Sequence, residues 1–289
     1  MEKIKKIFGG IDLSWKKVII FAILAGAYTA LMAIIPQVKY TSFNTITTTL
    51  EVWIFLGIFI IMNSKSNKDS ALKCFVFFLI SQPLVYLIQV PFSWQGWNIF
   101  GYYKFWFVWT VLCLPMGYIG YYIKKDKWWG YLILFPMIIL TAYSYHTYLT
   151  YFTFYYPKYI LISIFCVLAM IIYPNMIFNN KKIKIIATII STLIIIGITI
   201  LVILHPYRYS TEILSEIDGK EITNEYGVSL KDNIYGDVSI KYFESVESYK
   251  VHADFKKNGN TELIVETPEG AIKKYDLTIE MDTYKIEEK

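Results

Sequence analysis

Ile194-Ile195-Ile196-Gly197-Ile198-Thr199-Ile200-Leu201-Val202-Ile203-Leu204-His205-Pro206-Tyr207-Arg208 is where the chain changes character. Back to Ile185 the residues are Ile, Leu and Val almost throughout. Beyond His205, residues 206–289 hold 18 of the 23 acids and 11 of the 28 bases. An apolar run of about 20 residues is long enough to cross a bilayer. Lipid offers backbone polar groups no partner, so the run must be a helix. The polar segment after it must be a water-soluble fold of its own.

Upstream, six more apolar runs predict helices, over about 18–35, 44–63, 74–92, 100–123, 128–145 and 158–178. The first stops at Pro36. Ala30-Leu31-Met32-Ala33 makes a poor cleavage site, so this helix is read as retained rather than as a signal peptide. The second starts weakly, at Asn44-Thr45-Ile46-Thr47-Thr48-Thr49. Before the first, Ile4, Ile7, Phe8 and Ile11 recur at helical spacing opposite Lys3, Lys5 and Lys6, which predicts a short interfacial helix within 1–17.

Only 22 charges lie in the first 205 residues, 17 basic and 5 acidic. That excludes an ordinary soluble fold, a coiled coil, a collagen, a disordered tail or a disulfide-rich mini-protein. The net +5 averages a basic membrane part and an acidic tail, so it implies no nucleic acid partner. The implied partner is the lipid bilayer. Lys outnumbers Arg 27 to 1, the composition of an AT-rich bacterium. Cys74, Cys113 and Cys166 all sit in apolar runs and read as small packing residues.

Orientation follows from lysines. With the N-terminus inside, segments 1–17, 64–73, 124–127 and 180–184 carry 14 of them, against Lys39, Lys104 and Lys158 outside. Seven crossings then put the tail outside. The outer side is rich in aromatics, at Phe92-Ser93-Trp94-Gln95-Gly96-Trp97 and from Tyr143 through Tyr159. These read as an interfacial belt, or as a stacking platform for a sugar or a lipid headgroup.

In the tail, Val238, Ile240 and Tyr242, then Tyr249, Val251, Ala253 and Phe255, then Tyr275, Leu277 and Ile279 alternate with polar residues. Leu263 and Val265 face away from Glu262 and Glu266. Period two with one buried face predicts strands. Asp218-Gly219, Asn258-Gly259 and Pro268-Glu269-Gly270 are turn signals. Six or seven short strands predict a sandwich. The architecture expected is therefore a seven-helix transmembrane bundle over 18–205 and an extracytoplasmic β-domain over 206–289.

Lys257-Asn258-Gly259-Asn260-Thr261-Glu262-Leu263-Ile264-Val265, with Gly270 and Tyr275-Asp276-Leu277-Thr278-Ile279, resembles the closing hairpin of bacterial immunoglobulin-like domains. That resemblance implies a spacer or adhesion module at the cell surface. The stretch Phe77-Phe78-Leu79-Ile80-Ser81-Gln82-Pro83-Leu84-Val85-Tyr86-Leu87-Ile88-Gln89-Val90, continued by Trp97, Tyr102-Tyr103-Lys104-Phe105-Trp106 and Gly120-Tyr121-Tyr122-Ile123-Lys124-Lys125-Asp126-Lys127-Trp128-Trp129-Gly130, is similar to multi-pass proteins of clostridia and their relatives, a group with no assigned activity. It implies topology and carries no site across.

For chemistry, Gln82, Tyr86 and Gln89 share a helix face and read as interhelical hydrogen bonding or as a polar track through a substrate cavity. On the next helix Tyr102, Trp106, Trp109 and Cys113 share a face, an opposite wall or ordinary packing. Glu51 and Lys104 are the charged residues inside runs. They are expected at the outer boundary, paired to each other or reaching headgroups. Trp94 and Trp97 are the aromatic contact candidates. His146, His205 and His252 belong to no catalytic pattern, and His252 is expected to be solvated. Asp232, Asp237 and Asp254 match no calcium loop. No catalytic residue, cofactor or metal is expected. The leading expectation is a non-catalytic envelope protein whose outer domain binds a partner protein or envelope component. The alternatives are a small-molecule or lipid transporter using the Gln82/Tyr86/Gln89 face, a bacteriocin immunity protein and an intramembrane transferase.

Overall fold

A computed structural model describes residues 6–38, 41–152, 158–244, 246–280 and 283–289. Lys3, Ile4, Lys5, Lys39, Tyr155 and Tyr156, invoked above, lie outside them. The chain divides into two compact units, Met1–Leu149 with Pro157–Leu201, and Thr150–Tyr156 with Val202–Lys289.

The first unit is helical. Its helices are α1 (Trp15–Ile34), α2 (Ser42–Thr48), α3 (Leu50–Met62), α4 (Asn67–Gln89), α5 (Tyr103–Gly120), α6 (Trp128–Thr150), α7 (Ile160–Ile177) and α8 (Lys181–Leu204). Among the described residues six helices are long and apolar enough to cross a membrane, and α2 with α3 forms a pair bent by 54°. The second predicted run is thus a broken helix rather than one continuous one. The cause is its threonines. Thr47 and Thr48 donate to Asn44 O at 2.9 and 3.1 Å and Thr49 to Ile46 O at 3.3 Å, in competition with the helical ladder. Thr49 itself is extended, with φ −93° and ψ 148°. By contrast α4 begins earlier than its apolar run, at Asn67, because the Ser66 hydroxyl accepts from Asp69 N at 3.1 Å and caps it.

Two apolar clusters hold the unit together. One joins Ile58 and Met62 of α3 to Leu134 and Ile138 of α6 and Met170 and Tyr173 of α7. The other joins Trp53 and Ile60 of α3 to Val18 of α1 and Phe77 of α4. So α3 belongs to both. Close crossings use small residues, as expected where lipid supplies no hydrophobic push between helices. A Cβ on Gly26 would lie 2.7 Å from Ser81 O, and one on Gly117 2.9 Å from Ala71 Cα.

The N-terminal segment departs from expectation. Phe8 is buried between Phe55 and Tyr173, with ring centroids at 5.8 and 6.4 Å, whereas Ile7 and Ile11 are exposed. These residues do not share one interfacial face. Asn63, which ends α3, explains why. Its Oδ1 accepts from Gly9 N and Ile11 N at 3.2 and 2.9 Å, and its Nδ2 donates to Ile7 O and Phe59 O at 2.7 and 2.8 Å. The amide thus ties residues 7–11 to the helix end.

Three further links extend from that point. Lys124 Nζ donates to Ser64 O at 2.7 Å. Tyr121 donates to Lys65 O at 2.8 Å. The Asp126 carboxylate accepts from Asn179 N and Asn180 N at 2.9–3.0 Å, just ahead of α8. The four lysine-bearing segments are therefore knitted together at one end of the helical unit. Lys73, counted above with the loop lysines, lies inside α4, is 2% exposed and pairs with Asp69 at 2.7 Å.

The second unit contains the strands β1 (Tyr209–Leu214), β2 (Glu216–Ile217), β3 (Lys220–Glu221), β4 (Gly227–Leu230), β5 (Gly236–Phe243), β6 (Ser248–Phe255), β7 (Gly259–Glu266), β8 (Ile272–Glu280) and β9 (Thr283–Glu288). They form antiparallel sheets ordered β1-β6-β5 and β4-β7-β8-β9, with β2-β3 a separate hairpin. The alternation read from the sequence sets the core. Val251, Ala253 and Phe255 of β6 share one cluster with Leu263 and Val265 of β7 and Tyr275, Leu277 and Ile279 of β8. Asp218 and Gly219 take positive φ (51° and 73°) in the β2–β3 turn, and Gly270 (83°) in the β7–β8 turn. Asn258-Gly259 instead lies where the chain passes between sheets, because β6 and β7 do not pair. The β7–β8 hairpin is not the closing one, since β9 adds to β8 in register Leu277↔Ile286.

Candidate functional site

Gln82 and Tyr86 lie one turn apart on α4, and both are buried, at 2% and 9% exposure. The Tyr86 ring packs 6.1 Å from Phe100 and 6.2 Å from Tyr103. Gln82 Nε2 has no hydrogen-bond partner. Gln89 donates back to Val85 O of its own helix at 3.0 Å. It lines a different place, a cleft of about 340 Å³ with Pro36, Phe92, Ser93, Trp94 and Ile99. Trp94 is 93% exposed there. Trp97, also exposed, stacks on Phe100 at 5.8 Å. The three-residue stripe therefore forms no continuous track: two members are helix packing and the third belongs to a cleft at the end of α4.

The second predicted wall meets the first at one point, where Trp106 lies within hydrogen-bonding reach of Tyr86. Trp106, Trp109 and Cys113 of α5 line a cavity of about 60 Å³ with Trp53, Cys74 and Phe78, and Tyr102 is not part of it. The lining is nearly all carbon, which leaves a water no partners. All three cysteines are buried and free.

Glu51 is where the structure differs most from expectation. It is 2% exposed, in the first turn of α3 and just after the break at Thr49. It does not pair with Lys104, which is exposed. Its Oε2 accepts a hydrogen bond from the Tyr148 hydroxyl of α6 at 3.1 Å. Among the described residues no cationic side chain lies within ion-pair distance of it. Cys166 and Tyr173 of α7 lie within electrostatic range. Tyr173 is fully buried, and its hydroxyl has no partner.

Magnitudes show why this matters. Burying an unpaired carboxylate costs several kcal/mol even after relaxation. A hydrogen bond to a charged acceptor returns about 1.5–3 kcal/mol. Proximity to the α3 N-terminus returns about 0.3–2 kcal/mol. The visible contacts thus offset only part of the cost. Helix breaks with a buried acid beside them recur where membrane proteins hold ions or substrates. Sequence reasoning placed Glu51 at the boundary because the polar Thr45–Thr49 run looked like a helix end. The threonine run was in fact the signal for a break inside the unit.

In the β unit, β6 carries Lys250, His252 and Asp254 on one face, with Lys256 just past its end. His252 is not solvated as expected: its side chain is 15% exposed and its Nε2 lies 3.4 Å from Asp254 Oδ1. Ser210 hydrogen bonds to Asp254 and holds its carboxyl below the usual carboxylate range. Asp237 is held low by Lys256 first and by Arg208. Asp232 accepts from Ile234 N at 3.3 Å within its own turn. Among the described residues no three His, Cys, Asp or Glu gather as metal ligands would. Comparison with known proteins gives no matching family model, no matching curated protein and no matching solved structure.

Proposed function

We propose that this chain is a non-catalytic, seven-span protein of a bacterial cell membrane, and that it holds its β unit outside as a sandwich to engage a partner protein or an envelope component. One observation carries the reading. The four lysine-bearing segments meet at one end of the helical unit, through Asn63–Gly9, Lys124–Ser64 and Asp126–Asn180. Lysine-rich ends stay cytoplasmic. Counting α2 and α3 as one broken span gives an odd number of crossings, which would put residues 206–289 outside. The shared core of the two large sheets supports the sandwich. The resemblance of β7 and β8 to bacterial immunoglobulin-like modules supports a role in adhesion or spacing. Transport along Gln82, Tyr86 and Gln89 has less support, because Gln82 and Tyr86 are consumed in packing.

The test is a cysteine at the exposed Lys257 (Lys257→Cys), with the three native cysteines left buried. A membrane-impermeant maleimide added to intact cells is expected to label it. Labelling only after lysis overturns the topology and the role built on it.

A further inference from the structure

We propose that the β unit binds an N-acetylated saccharide in the notch where β4 leaves the side of β7. β4 pairs with β7 as far as Leu230↔Leu263, and Lys231 N adds one more bond, to Glu262 O at 2.9 Å. The chain then turns away through residues 232–235, where Tyr235 N donates to Asp232 O at 3.4 Å. β7 runs back to Gly259 with β8 alone beside it among the described strands. The gap is a cleft of about 460 Å³, and Asp232, Tyr235, Asn260, Glu262 and Asp276 all line it. That volume is ordinary for a small-molecule site, about 300–1,000 Å³. Along a strand, the backbone groups of alternate residues point to the same side. The Asn260 amide and carbonyl therefore point the way those of Glu262 do, into the gap, where no described strand meets them.

The lining has the chemistry of a sugar site. A pyranose presents a C–H face and a rim of hydroxyls, each both donor and acceptor. Tyr235 supplies a ring for the face. It is seated on Gly259, where any Cβ would collide with the ring, and its own carbonyl accepts from Lys256 N at 2.8 Å. Carboxylates serve the rim. Register sets Glu262 opposite Asp276. Glu262 has Lys231 at 3.2 Å and Lys289 beside it, and Asp276 has Lys289 at 3.4 Å. Their charge is answered within the protein, so they offer lone pairs to neutral hydroxyls rather than a seat for a cation. The Asn260 backbone selects the substituent, because an acetamido group carries both the carbonyl and the N–H that complement it. An extended peptide would find one residue of free edge here, too short for a strand. The proposal rests on the reading of the β unit given above and names the class of envelope component it engages.

The experiment uses the full chain purified in a polyoxyethylene detergent, whose headgroup is not a sugar. Isothermal titration calorimetry follows chitotriose, a trimer of N-acetylglucosamine, and cellotriose, its counterpart without acetamido groups. Saturable binding of chitotriose is expected, with cellotriose weaker by about 10-fold or more. Tyr235→Ala is expected to weaken chitotriose about 10-fold or more, and Asp276→Ala, at an exposed position, about 3-fold to 10-fold. The second variant decides the matter if the first does not fold. Absence of saturable chitotriose binding, equal affinity for cellotriose, or unshifted affinity in both variants overturns the site. So does displacement of chitotriose by tetra-alanine, which would make the notch a peptide site. The measurement is made on purified protein, so its failure leaves the topology standing. Labelling of Lys257→Cys only after lysis would overturn the topology and leave the notch and its affinity as they are.

Discussion

The two units place most of their polar side chains differently. In the β unit the ion pairs sit on outer faces, such as Arg208–Asp237 and Lys273–Asp218, with partners largely open to water. Exposed pairs of this kind contribute little each. Among the described residues, the helical unit buries the hydroxyls of Ser70, Ser81, Tyr131, Ser163, Tyr173 and Ser191 without a partner, and the β unit only that of Thr261. Two of these explain themselves. Ser81 and Ser70 lie where Gly26 and Gly117 bring neighbouring backbones into contact. There serine is chosen for being small, and its hydroxyl is incidental. The lesson is that polarity in a lipid-embedded bundle must be sorted by residue. Ser70 and Ser81 are spacers, whereas Glu51 and Tyr173 have no such excuse.

The contrast breaks hardest at the crossings. Gly26→Leu combined with Gly117→Leu forces side-chain atoms into backbone at both faces of α4. Overpacking costs about 1–3 kcal/mol or more per site. The helical unit is expected to lose its folded state while the β unit keeps its own. All eight tryptophans lie between Trp15 and Trp129, so their emission reads the helical unit alone, and the β unit is followed by its circular dichroism. Simultaneous loss of both signals would mean that the two units fold as one.

Asn63→Ala comes next. It removes four hydrogen bonds and strands the Gly9 and Ile11 amides. A loss of about 2–4 kcal/mol is expected, with residues 7–11 freed. Limited proteolysis should then cut within the N-terminal segment and leave the remaining helices intact.

The smallest effect concerns pH. Asp237 is held low by Lys256 and Arg208, Asp254 by Ser210, and Glu262 by Lys289 and Lys231. A carboxyl lowered on folding contributes above its unfolded pKa and loses that contribution as pH falls through the folded one. Lys273, raised by Asp218 and Glu288, behaves in mirror image: its contribution is full below the unfolded lysine value and is lost as pH rises through the folded one. The β unit should therefore hold constant stability between about pH 4 and pH 10. Asp237→Asn, at a half-exposed site, should change midrange stability by less than about 1 kcal/mol. Circular dichroism melts across pH check this.

How much of this was legible follows from the range of the contacts. Apolar run length predicted six helices directly, and alternation at Val251, Ala253 and Phe255 named the β core, because both are local patterns. The break at Thr49 was half legible, in a threonine run that read as a weak start. The docking of Phe8 and the partner of Glu51 were not. Phe8 meets Tyr173 and Glu51 meets Tyr148 across most of the helical unit, and no local pattern encodes such a meeting. Gln82, Tyr86 and Gln89 were legible as a stripe, but periodicity could not tell a packed stripe from a wet one.

The seat of Phe8 also carries a timetable. During synthesis the segment around Phe8 emerges before both rings that hold it, Phe55 and Tyr173, the second from the penultimate helix of the unit. These residues must wait undocked until nearly every helix of the unit is in place. Their arrival closes that end of the helical unit only on a bundle that is nearly complete, so a segment made before α1 docks after α7.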